Sequence, residues 1–229
     1  MEQISDAVTK MISWIPALLM GARITIGLTV CAMTAGVILS LFIALGKMSK
    51  SAVINKFCTA YTFFFRGTPL LMQLYFIYYA LPSISSVFLI QTGNAGADRF
   101  IYAFIAYSLN MAAYSAEVIR AALQSIDKGQ FEASRALGLS YAQTMRLVII
   151  PQSIRRLIPP VGNEFILMLK DASLVSMIAL VDITRATRTI EGSTRSPLVY
   201  IPAMILYLII TAIFTYIFRK LEKKYSVYE

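Results

Sequence analysis

The sequence predicts an all-α integral membrane protein of five transmembrane helices, N-terminus outside and C-terminus inside, with a cytoplasmic helical protrusion between spans 3 and 4. Three observations carry this. Of 229 residues 58% are hydrophobic and 14% charged, with mean hydropathy +0.68, far from the roughly 25% charged residues of soluble domains. Several uncharged runs are long enough, at about 1.5 Å per residue, to cross ~30 Å of hydrocarbon. The Lys and Arg residues flanking those runs divide 14 against 6 between the two sides, and the richer side is cytoplasmic by the positive-inside rule.

In order along the chain, the opening residues carry Glu2 and Asp6 in place of a basic stretch, so no cleavable signal peptide is expected. Ile12–Met20 is apolar but separated from the next run by Gly21 and Arg23, and reads as an interfacial lead-in. Residues 24–46 form the first span. A basic connector with Lys47, Lys50, Lys56 and Arg66 follows, then a second span over 58–81, which Pro82 with Ser83, Ser85 and Ser86 should end. Thr68 and Pro69 interrupt that span locally, and Tyr75, Tyr78 and Tyr79 read as an interfacial belt. An external loop leads to a third span over 100–124. The fourth, 157–181, contains Pro159, Pro160, Gly162, Asn163, Glu164, Lys170 and Asp171, a composition tolerated at membrane depth only inside protein or beside a wet cavity. A polar loop, 182–195, precedes the fifth span at 196–218, and the tail is basic.

Residues 127–151 are a polar island between apolar segments. Asp127 with Gln130 reads as a capping pair, Gly138 as a left-handed helix end, Ser140 with Gln143 as a second capping box, and Pro151 as the close of the unit. The first of its two short helices is too short and too polar to cross a bilayer.

Several function classes are excluded. The net charge of +9 sits beside apolar runs, where it sets topology and implies no nucleic-acid partner. With no His, and with Cys31 and Cys58 lacking ligand spacing, no metal site and no catalytic residue are expected. None of the 11 glycines begins a G-x-x-x-x-G-K-[ST] phosphate loop, so ATP does not bind this chain through one.

The polar residues inside the spans need an explanation, because each ionisable group costs about 2.5–3.5 kcal/mol on insertion scales. Asn110, Tyr114 and Glu117 fall on one stripe of the third span, Glu164 and Asp171 share a face of the fourth, and Asn163 and Lys170 share a neighbouring face. Either they line a polar path in which carboxylates meet the ammonium group of an amino acid, or they form a packing network with Lys170 paired to an acid of another span. Arg66 is expected at the cytoplasmic end of its span, touching lipid headgroups or the protrusion.

Four motifs add a family resemblance covering nearly all of the chain from about Leu18. Glu132, Ala133, Ser134, Gly138, Val148, Ile150 and Pro151 resemble the E-A-A-x-x-x-G-x9-I-x-L-P loop of permease subunits of ABC-type importers, with Ser134, Val148 and Ile150 as conservative departures. Arg66, Gly67, Thr68, Pro69, Leu70, Leu71, Gln73 and Leu74 resemble the R-G-T-P-L-L-x-Q-L signature of polar amino acid permeases. Asn110, Tyr114, Glu117 and Arg120 are similar to that family's N-x-x-x-Y-x-x-E-x-x-R, and Lys170, Asp171 and Ser173 to its K-D-x-S-L.

The resemblance implies a permease in a bacterial cytoplasmic membrane that works with ABC ATPase subunits, a second permease subunit (a homodimer or heterodimer) and an extracytoplasmic substrate-binding protein. It implies no cofactor on this chain, with ATP and Mg on the partner ATPase. The protrusion would be its coupling helix, with Glu132, Ala133, Ser134, Arg135, Gly138 and Pro151 as ATPase-coupling positions. The substrate pathway would include Thr68, Asn110, Tyr114, Glu117, Glu164, Lys170, Asp171 and Ser173. Glu117 belongs to the general pattern, so Glu164 alone biases the substrate toward a cationic amino acid. The competing reading is an ion-coupled secondary carrier without an ATPase, against which the lack of an obvious internal repeat argues.

Overall fold

The computed structural model describes residues 2–225, so the last four residues of the basic tail lie outside the described residues. Among the described residues the ordered elements are all helical. The first helix, α1 (Glu2–Lys47), is one element of 46 residues. At about 69 Å it is more than twice the hydrocarbon thickness. The expected separation of Ile12–Met20 from the first span does not occur. Gly21 continues the helix because its bare Cα lets α1 approach the backbone of Asp182, where a Cβ would lie 2.6 Å from the carbonyl oxygen. Arg23 points outward and exposed.

The predicted second span is made of pieces. Helix α2 (Ala52–Gly67) stops at Thr68, which is extended (φ −116°, ψ 144°) because the ring of Pro69 disfavours helical geometry in the residue before it. Helix α3 (Leu70–Tyr75) then runs through a π turn, Phe76–Ala80, into α4 (Leu81–Ile84). Pro82 sits in the first turn of α4, where its missing N–H costs nothing, so the helix ends only at Ile84. Helix α5 (Ala95–Gln124) starts five residues before the predicted span, capped by Asn94, whose side chain accepts from the N–H groups of Gly96 and Ala97.

The protrusion begins with α6 (Lys128–Ala136), N-capped by Asp127, and turns through Gly138 at φ +75°. Its second helix, α7 (Tyr141–Thr144), has the full capping box between Ser140 and Gln143. The expected role of Gln130 at the first cap is not realised, since its side chain instead accepts from Gln152 Nε2 at 3.1 Å. Nor does Pro151 close the unit: α7 continues through a π turn, Met145–Ile149, into α8 (Ile150–Asp171), with Pro151 in the first turn. The second protrusion helix and the fourth predicted span are thus one helical rod. A 3-10 segment, Ala172–Ile178, ends it at Ala179, which is left-handed (φ 57°). The expected loop 182–195 is a helix, α9 (Ile183–Thr194), because Asp182 caps it by accepting from Thr184 and Arg185 N–H. The 3-10 turn Pro197–Val199 leads into α10 (Tyr200–Tyr225).

Two described segments are long and apolar enough by length and composition to cross a membrane, Ile4–Lys47 and Pro197–Tyr225. The core lies between α1 and α5, where fully buried Ala103, Ala106, Ala112, Ala113 and Ala116 let the backbones come close. Gly36 marks the tightest point: a Cβ there would stand 2.8 Å from Met111 Cβ. On the other side, α8 seats Gly162 against the Phe218 ring of α10, and Phe165 stacks with Phe214 and Phe218.

Candidate functional site

The break in the second predicted span, the middle of α5 and the end of α8 enclose a cavity of about 520 Å³. Its lining includes Arg66, Thr68, Pro69, Asn110, Tyr114, Glu164, Met168 and Asp171. Five of the residues singled out in the sequence as a pathway, Thr68 from the break, Asn110 and Tyr114 from α5, and Glu164 and Asp171 from α8, are therefore brought together.

The break is held open by one amide side chain. Gln73 Nε2 donates to the carbonyls of Phe65 (2.9 Å) and Thr68 (3.0 Å) and to Thr68 Oγ1 (2.8 Å). Gln73 Oε1 accepts from Asn110 Nδ2 at 2.9 Å, tying the break to α5. The carbonyl groups that Pro69 and the extended Thr68 leave without helical partners are satisfied in this way. The motif contains Gln73, but its role was not legible in it, because the bonds it makes exist only once α2 has ended.

Charge is arranged in two zones. Glu164 and Asp171 line one wall, and neither carboxylate has a hydrogen-bond or salt-bridge partner among the described residues. Arg66 lines the same cavity, its guanidinium 5.4 Å from the centre of the Tyr114 ring. Arg66, expected to touch lipid headgroups or the protrusion, meets Tyr114 and Glu117 of α5 and lines the cavity. It precedes the break by two residues, and its helix packs beside the middle of α5, so it faces the cavity.

Glu117, one turn past Tyr114, does not line the cavity. It collects cations: Lys47 Nζ bonds its Oε1, Arg120 Nη2 meets Oε2 at 2.8 Å, and Arg66 Nη1 lies 4.0 Å from Oε1. Thr62 Oγ1 accepts from Lys47 Nζ at 2.9 Å and completes the cluster. Lys170 and Ser173 are also absent from the lining. Lys170 is exposed, and among the described residues it makes no salt bridge with an acid of another helix, so the pair named in the packing reading is not formed. Tyr107 Oη donates to the Asp171 carbonyl at 2.6 Å and fixes the point where α8 changes to the 3-10 segment.

The protrusion forms a separate surface. Glu132, Ala133, Arg135, Gly138 and Pro151 are exposed, whereas Ser134 is buried and donates to the Gln130 carbonyl at 2.6 Å. Leu137 and Tyr141 are 81% and 71% exposed at its tip. Arg156 of α8 ties its base to the end of α5, donating to Ser125 Oγ at 2.9 Å.

Residues 36–227 match the family described as binding-protein-dependent transport system inner membrane component. The chain belongs to that family. It is 34% identical over 225 residues to the L-cystine transport system permease protein TcyL of Bacillus subtilis (strain 168), covering 98% of this chain and 90% of that one. It is 35% identical over 214 residues to the glutamine transport system permease protein GlnP of Escherichia coli (strain K12), covering 93% and 94%. Among solved structures, an amino acid ABC transporter with histidines superposes with TM-score 0.85 at 38% identity, over 94% of this permease and 97% of that chain. The MetNI methionine ABC transporter, at 16% identity and TM-score 0.74, shares the fold. These relatives are transport-system permeases, which favours the ABC permease over a secondary carrier.

Proposed function

We propose that this permease forms the membrane pathway of an ATP-driven importer for a polar amino acid, in a bacterial cytoplasmic membrane. It crosses five times, by α1, by α2–α4, by α5, by α8 with its 3-10 extension, and by α10, with the N-terminus outside. The charge asymmetry of the flanking residues supports that orientation, because it puts the protrusion on the side where ATP is. The observation that carries the reading is the cavity itself, lined by a cation, Arg66, and by two carboxylates, Glu164 and Asp171, that have no salt-bridge partner among the described residues. A zwitterion fits that pattern: its carboxylate pairs with Arg66 and its ammonium with the acids. A second acid leaves one negative charge for a cationic side chain.

Energy enters through the protrusion. Exposed apolar Leu137 and Tyr141 beside Glu132 and Arg135 offer a docking surface to an ATPase, and the uninterrupted rod from Tyr141 to Asp171 carries its movement to the cavity wall. A second permease subunit and an extracytoplasmic binding protein complete the assembly. The decisive experiment reconstitutes the chain with its ATPase and binding protein and asks which amino acid stimulates ATP hydrolysis. Stimulation by a cationic amino acid, lost in Glu164→Gln, supports the reading; uptake by the purified chain alone, without ATP, refutes it.

A further inference from the structure

A second cavity, about 350 Å³, opens at the other end of α5, lined by Tyr78, Tyr79, Pro82, Gln91, Asp98, Arg99 and Tyr102 among others. Its walls are fixed before any ligand arrives. Tyr102 Oη accepts from Ile90 N–H at 2.8 Å and donates to the Phe88 carbonyl at 3.0 Å, pinning the loop that forms one side. Tyr78 packs edge-on against both Tyr79 and Tyr102.

The unusual group is Arg99. A guanidinium carries five N–H donors, yet Arg99 Nε is buried without a partner, and Nη1 makes one long bond, 3.5 Å, to the Ala179 carbonyl. Among the described residues the neighbouring acid makes no salt bridge with it: Asp98 Oδ1 is turned into the loop, accepting from Thr92 Oγ1 at 2.6 Å and Thr92 N–H at 2.8 Å. A partly buried cation with unused donors, beside aromatic faces that attract ammonium groups, lacks one thing: an anion that brings its own cation.

We infer that this pocket is an external waiting site for the transported amino acid, with Arg99 binding the α-carboxylate and the Tyr78, Tyr79 and Tyr102 rings accommodating the ammonium. The inference rests on the proposed import of an amino acid and adds a second station to it. Its volume falls within the range of small-molecule sites, roughly 300–1,000 Å³. Its position also links the two stations. The carbonyl that Arg99 touches belongs to Ala179, the left-handed residue ending the 3-10 segment that begins next to Asp171 of the central cavity. A carboxylate that draws Arg99 away releases that end of the segment.

Cysteine protection tests this on the full chain in lipid nanodiscs. With Cys31→Ser removing the exposed native thiol, Gln91→Cys reports on the external pocket and Leu71→Cys on the central cavity. L-arginine and L-glutamine are compared with agmatine and 4-aminobutanamide, which are the same molecules without the carboxylate. At about ten times the dissociation constant, the amino acid slows maleimide labelling of Gln91→Cys roughly ten-fold, whereas its decarboxylated analogue does not. Arg99→Gln abolishes that protection and leaves Leu71→Cys protected; Arg99→Lys retains part of it. Equal protection by the analogues, or protection unchanged in Arg99→Gln, overturns the inference. Protection of Leu71→Cys alone also overturns it but leaves the proposed function standing, while loss at both reporters for every amino acid overturns both.

Discussion

Lys47, the last residue of the first helix, and Glu117, 70 positions later, meet side chain to side chain at the foot of the α1–α5 seam, both largely buried. The contact makes Glu117 the anchor of three cations and leaves Arg66, the most distant of them at 4.0 Å, free to serve the cavity. Removing the acid leaves Lys47, Arg66 and Arg120 facing one another. Glu117→Gln should therefore cost about 2–4 kcal/mol, somewhat less than a fully buried pair because Arg120 is partly exposed. Thermal unfolding in detergent checks this, and Lys47→Met in the same chain should recover part of the loss. Additive effects of the two changes would show that the pair is not coupled.

Gln73 closes the helix break. Gln73→Leu should leave the Phe65 and Thr68 carbonyls unpaired, costing about 1–3 kcal/mol. Transport should fall further than stability alone explains, because the break shapes the cavity. A Gln73→Leu chain with parental melting and parental uptake would remove Gln73 from the site.

The approach of α1 to the α9 cap leaves no room for a methyl group. Gly21→Ala would put a carbon 2.6 Å from the Asp182 carbonyl oxygen, and a backbone atom cannot step aside as a flexible side chain does. A loss of about 1–3 kcal/mol is expected, read as a lower melting temperature.

Asp182 is fully buried, and burial pushes its carboxyl above the usual range in spite of the N–H groups of Arg185 and Thr184 that it accepts. For an acid raised in the folded state, protonation favours folding. Its contribution is greatest below the unfolded value, about 3.9, and is lost as pH rises through the folded one. Asp182→Asn, which keeps a cap, should flatten that part of the pH–stability profile; Asp182→Ala should lower stability throughout by about 1 kcal/mol. A profile identical in all three chains would assign the pH dependence elsewhere.

At the protrusion, Gly138 sits at φ +75°, where an L residue with a Cβ is strained by about 1–2 kcal/mol. Gly138→Ala should reduce coupled transport while Gly138→Asn, which tolerates that region, retains most of it. In the same assay Glu132→Arg should uncouple ATP hydrolysis from uptake with insertion unchanged.

The sequence by itself determined the all-helical class, the family and the Asp127 and Ser140 caps of the protrusion. Hydropathy and capping are local properties, so Ser140 with Gln143 and the left-handed Gly138 could be read from the chain. It also brought Asn110, Tyr114, Glu164 and Asp171 into one list, since helical spacing puts each on a defined stripe, and added Thr68 through the R-G-T-P motif. What it did not contain was which stripe faces which. Arg66 joined the cavity and Glu117 left it because α2 ends at Thr68 and packs beside α5, a long-range choice. Likewise, Gly21 and Arg23 read locally as a boundary, yet burial of the Gly21 backbone against Asp182 made one helix of Glu2–Lys47. Tertiary packing decided these points, because a pairing between residues far apart in the chain leaves no periodic trace in either segment alone.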